Sequence, residues 1–175
     1  MELGECMEKK KRWPIVLILW IMFVILVAGV AYLSFQNGED AKRLGRQMII
    51  KLAESQNPQQ EITDQELDAL TYVVRQNGRA LAFLVIGIIG TVTIHVSCRK
   101  CNWLAKTVIT AFILVAIACL TEKLKVYIPT RHYSYEEMLI SIEAVVTGFI
   151  LVSVITLTAK AVKGFFRLMA ASHVL

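Results

Sequence analysis

The chain has 175 residues and a formal net charge of +5. Apolar residues make up 56% of it, and mean hydropathy is +0.57. These values exclude an ordinary soluble domain, and they direct the basic surplus to anionic lipid rather than nucleic acid.

The first element follows the basic cluster Lys9-Lys10-Lys11-Arg12. Pro14–Leu33 is long enough to cross the hydrocarbon core as a helix, which takes roughly 20 apolar residues. A basic region before an apolar run also resembles a signal peptide, with Ala31 as a conceivable cleavage point. The run exceeds the roughly 7–15 residues of such a peptide, so a retained first span is expected.

The segment Ser34–Gly78 is long and polar. Leu44, Met48 and Leu52 recur at i, i+4 and i+8, with Lys42, Arg43, Arg46 and Lys51 elsewhere. That pattern predicts an amphipathic helix over 40–54. Pro58 ends it. Thr63-Asp64-Gln65-Glu66 then reads as a capping box opening a second helix, with Leu67, Leu70 and Val74 as its apolar stripe. Asn77-Gly78 should weaken that helix just before the second span.

Ala80–Ser97 and Trp103–Leu120 form the second and third spans. The five residues between them force an antiparallel pair. That connection holds Cys98-Arg99-Lys100-Cys101, with His95 three residues earlier. A closed zinc site normally takes four ligands, so reduced juxtamembrane thiols open to palmitoylation are expected, with no metal and no cofactor. The connection Thr121–Glu137 contains Pro129, Arg131 and His132, the last read as solvated. Met138–Ala159 is the fourth span. Ser141, Ala144, Thr147 and Gly148 give it a small-residue face suited to close helix packing.

Lys/Arg residues set the orientation. Residues 9–12, 99–106 and 160–167 carry basic clusters in short segments, so both termini are expected to be cytoplasmic. The expected fold is all-α: an integral membrane protein with four transmembrane helices at about 14–33, 80–97, 103–120 and 138–159. Residues 1–13 form a basic amino terminus, 14–159 the membrane domain and 160–175 a cytoplasmic tail.

Charged residues at membrane depth are costly and are usually paired or functional. Glu122 ends the third span, Glu136 and Glu137 precede the fourth, and Glu143 lies about two turns into it. Arg75 and Arg79, at i and i+4, share a helix face. An outward cluster of Glu122, Glu137 and Glu143 with Arg75, Arg79 and Arg131 is therefore expected. It is open to two readings: salt bridges that hold helix ends at the interface, or a polar pocket facing the outer leaflet.

Three segments together resemble the VanZ-like family, associated with teicoplanin resistance. Ser34-Phe35-Gln36-Asn37-Gly38-Glu39-Asp40 is similar to its opening motif, carried here by Ser34, Gln36, Gly38 and Glu39. In Val74–Phe83, Arg75 matches the second motif, while Gln76, Arg79 and Phe83 replace a Lys, a His and a Tyr. In the third, Glu122, Pro129 and Arg131 match, while Thr121, Lys125 and Thr130 do not; Glu137 stands where the family has Asp. The resemblance covers roughly residues 14–155. It implies a multi-pass protein of a bacterial cell membrane that influences glycopeptide susceptibility.

The expected ligand-contacting residues are Arg75, Arg79 and Arg131, because guanidinium forks suit phosphate. Glu122 and Glu137 would hold them. Membrane lipids, a lipid-linked cell-wall precursor or an envelope protein are the expected partners. Two alternatives are a membrane enzyme using Glu122 or Glu137 as general acid or base, and a small ion-coupled transporter using Glu143. Loss of the family's His and Asp at Arg79 and Thr121 weighs against catalysis.

Overall fold

A computed structural model describes residues 2–35, 43, 46–47, 50–51, 63–98, 102–127 and 134–172. Among these there is helix and no strand. The elements are α1 (Glu2–Phe35), α2 (Asp64–Ser97), α3 (Trp103–Lys123), a 3₁₀ turn (Leu124–Tyr127) and α4 (Tyr135–Ser172). All four helices are long and apolar enough to cross a membrane. The chain is therefore a multi-pass helical bundle. In hydrocarbon the backbone must satisfy its own hydrogen bonds, and a helix does so within each segment.

The helices exceed the apolar stretches that define the spans. α1 starts ahead of the basic cluster and continues through Pro14. α2 opens where the Thr63–Glu66 box predicts: the Glu66 carboxylate accepts from the Thr63 N–H at 3.3 Å, and the Thr63 carbonyl accepts from the Leu67 N–H at 3.0 Å. It then runs unbroken through Asn77 and Gly78 into the span. An interior glycine costs a helix only about 1 kcal/mol, too little to end one that is anchored at both sides.

Of the expected helix over 40–54, residues 43, 46, 47, 50 and 51 are helical. Its apolar stripe, Leu44, Met48 and Leu52, lies outside the described residues. Arg46 ties this segment to α2 through Asp64 and Asp68, each at 3.2 Å.

α2 is the hub: it packs on α1, α3 and, most extensively, α4. The core joins Phe23 of α1, Phe83 and Ile86 of α2, Leu114 and Ala118 of α3, and Val145 of α4. Two glycines set the α2–α4 distance. A Cβ on Gly87 would lie 2.5 Å from the Val145 carbonyl oxygen, and one on Gly148 would lie 2.6 Å from that of Leu84. Only glycine allows the two backbones to approach this closely. Most of the predicted small-residue face is the contact face: Ser141 and Gly148 are buried and Ala144 packs against the core, whereas Thr147 is exposed and lies outside it.

Buried threonines satisfy their hydroxyls within their own helices. Thr71, Thr91 and Thr110 each donate to the carbonyl four residues back, and Thr121 to the one three back. This lets polar side chains occupy an apolar bundle without an orphaned donor.

Candidate functional site

Two helix ends, the middle of α2 and the 3₁₀ turn bring four charged side chains together at one end of the spans. Arg79 stands in α2 at the edge of its apolar stretch. Glu122 is in the last turn of α3, Lys125 in the 3₁₀ turn, and Glu137 in the first turn of α4.

Lys125 Nζ donates to both Glu122 oxygens, at 2.6 and 2.7 Å, and to Glu137 Oε2 at 3.0 Å. Arg79 Nη1 lies 3.1 Å from Glu122 Oε1 and donates to Glu137 Oε2. Each cation thus touches both acids. The side chains of Glu122 and Lys125 are 1% and 2% exposed, those of Arg79 and Glu137 17% and 25%.

Local structure explains the placement. A 3₁₀ turn has three residues per turn, so Lys125 eclipses Glu122 at i+3. Glu122 sits at a helix carboxyl end, where the macrodipole disfavours an acid. Lys125 offsets that with a charge-assisted, two-oxygen contact. Glu137 lies at a helix amino end, where the dipole favours it. Its backbone N–H donates to Ser134 Oγ at 3.4 Å, and its carbonyl accepts from Ser141 Oγ at 2.9 Å.

Two shallow recesses flank the cluster. One is lined by Tyr72, Arg75, Gln76, Arg79, Glu137 and Ile140. Arg75 is exposed there and has no ion-pair partner among the described residues. The other lies between α1 and the 3₁₀ turn, lined by Ala31, Ser34, Thr121, Leu124 and Lys125.

The structure therefore brings together Arg79, Glu122 and Glu137, with Arg75 and Ser34 at the margins. Arg131, Gln36, Gly38, Glu39 and His132 lie outside the described residues. Glu143 does not join the cluster. It is exposed on α4, six residues further into the span, and its backbone carbonyl accepts from Thr147 Oγ1 at 2.7 Å. The arc between Glu137 and Glu143 is about 600°, or 120° short of two whole turns, so the two carboxylates face different ways.

Lys125 is the cluster residue that sequence reasoning missed. Its signal was present: it stands at i+3 from an acid already marked as unusual, in a segment ending an apolar run.

At the opposite end, Trp20 Nε1 donates to Ser97 Oγ at 3.0 Å and ties α1 to α2. His95 Nδ1 contacts the Thr91 carbonyl at 2.9 Å, so that nitrogen carries the proton. Its Nε2 is buried with no hydrogen-bond partner among the described residues. Cys98 is a half-buried free thiol, and Cys101 lies outside the described residues. Among the described residues no group of three His, Cys, Asp or Glu side chains is placed to hold a metal.

The fold and the site define a class: a four-helix, multi-pass membrane protein with a buried, internally paired ion cluster at one end of the bundle. Comparison with protein-family models, curated proteins and solved structures finds no match for the chain.

Proposed function

We propose that this chain is a VanZ-like protein of a bacterial cell membrane, with its ion cluster at the outer face. It binds the phosphate of a lipid headgroup or lipid-linked precursor there and alters susceptibility to teicoplanin-type glycopeptides. One observation carries this reading. Arg79, Glu122 and Glu137 come from segments far apart in sequence, each aligned with a family motif position, and they meet at one point.

The arrangement supports binding over catalysis. Both carboxylates are held by two cations each. A general acid or base needs a proton that it can exchange with substrate, and these acids are committed to structure. Arg79 is committed as well. Arg75, exposed beside it, is the guanidinium left to engage an anion. Tyr72 and Gln76 add hydrogen-bonding groups to the same recess.

The test is expression in a glycopeptide-sensitive Gram-positive host. The parent chain should raise the inhibitory concentration of teicoplanin, and Arg75→Ala should abolish the rise at equal protein level in the membrane. A parent chain without effect removes the proposal; an Arg75→Ala variant as active as the parent removes the assigned contact.

A further inference from the structure

α4 is much longer than a membrane requires. Its 38 residues extend over about 57 Å at 1.5 Å per residue, against a hydrocarbon core of about 30 Å. The apolar stretch ends at Ala159. Thirteen helical residues follow, at the end of the bundle opposite the ion cluster, and side chains from 157 to 166 are exposed throughout.

Their pattern is not that of the span. Lys160 and Lys163 lie about 60° apart on the helix surface. Val162, Phe165, Phe166 and Met169 occupy an arc of about 100° on the other side. Each of these four is at least half exposed: 53%, 59%, 65% and 51%. The two phenylalanine rings meet edge to face, their centroids 6.4 Å apart. Two exposed phenylalanines on the side opposite a pair of lysines have the pattern of an interfacial helix, in which an apolar face enters the acyl boundary and cations meet phosphates.

Gly164 lies between the two halves of this segment. A Cβ there would meet nothing within 4 Å, so no neighbour requires its small size. Glycine lowers helix stability relative to alanine, which makes this the softest point beyond the span. A bend here lays the apolar side on the membrane. The start of α1 lies at the same end, placed there by the Trp20–Ser97 bond, and it carries Lys9, Lys10, Lys11 and Arg12.

We propose that residues 160–172 form an amphipathic foot that binds the anionic surface of the bilayer the protein spans. Lys160 and Lys163 contact lipid phosphates. Val162, Phe165 and Phe166 insert at the acyl boundary. Charge complementarity selects the occupant: a basic stripe at a membrane edge is drawn to acidic headgroups. The proposal is independent of any glycopeptide effect.

The test uses the full chain in bilayer nanodiscs of phosphatidylcholine, with or without phosphatidylglycerol, where both faces are accessible. Trypsin cleavage after Arg167 is followed by mass. Cleavage should be slower by on the order of tenfold with the anionic lipid, since each basic residue adds measurably to surface binding. High salt should remove the difference. Lys160→Glu with Lys163→Glu should remove it too. Phe165→Ser with Phe166→Ser should weaken it while leaving the charge intact. All four positions are exposed, and circular dichroism checks that each variant remains helical.

Equal cleavage in both discs overturns the proposal. So does protection of the same size without anionic lipid, which would place a second protein copy on this face. Protection that survives the charge reversal also overturns it.

Discussion

Lys125 and Glu137 are twelve positions apart, and the Lys125 ammonium lies 3.0 Å from Glu137 Oε2 while also holding both oxygens of Glu122. One lysine thereby clamps the end of α3 to the start of α4. It fixes the connection between them whatever path the intervening loop takes.

Lys125→Met should be among the most destabilising single changes in the chain. It leaves Glu122, 1% exposed, with Arg79 as its remaining cation. Breaking a buried ion pair from one side costs about 3–5 kcal/mol. Lys123→Met, two residues earlier and exposed, should stay within about 0.5 kcal/mol. Unfolding in detergent, followed by circular dichroism, separates the two. Equal effects would deny Lys125 its structural role.

Arg79 and Glu137 should show strong coupling. Arg79→Met and Glu137→Gln each strand a partner, whereas the double variant strands fewer charges. The double variant should therefore lose less stability than the two single losses together, with a coupling of about 0.5–3 kcal/mol. Simple additivity in a double-mutant cycle would show that the pair contributes little.

The glycines should divide by location. Gly87→Ala and Gly148→Ala each press a methyl group against backbone oxygen at 2.5 and 2.6 Å, so α2 and α4 must separate. A cost of about 1–3 kcal/mol is expected. Gly78→Ala meets nothing within 4 Å, and among the described residues none has a positive φ. It should stabilise the protein by about 0.5–1 kcal/mol. Melting temperatures of the three variants, taken side by side, decide the matter.

Arg75→Ala should separate binding from folding. Its side chain is exposed and lacks an ion-pair partner among the described residues, so stability should change by less than about 0.5 kcal/mol. The proposed effect on teicoplanin susceptibility should vanish all the same. A large drop in melting temperature would instead make Arg75 part of the scaffold.

Much of the architecture can be read from the residues. The spans follow from apolar length. The start of α2 follows from Thr63 and Glu66, because a capping box is a local arrangement of four residues. Glu122, Glu137 and Arg79 stood out because charges at the edge of hydrocarbon demand partners. Helix extents beyond the spans were not legible, since hydropathy defines what lipid covers and not where a helix ends in water. The Asn77-Gly78 pair signalled a weak point, and the helix runs through it because one glycine costs too little to end it. Lys125 was hidden for a different reason. Its burial depends on one 3₁₀ turn folding back over Glu122, and a lysine near a span end ordinarily extends to solvent. Gly87 was likewise silent until the backbone of α4 was seen against it.

The neutrality of the ion cluster has an electrical consequence. Arg79 and Lys125 cancel Glu122 and Glu137, so the four move as a body without net charge. A transmembrane potential does work on net charge, about 2.3 kcal/mol per elementary charge per 100 mV. On this cluster it does almost none. A change in potential therefore exerts little net force on these four paired side chains as a body.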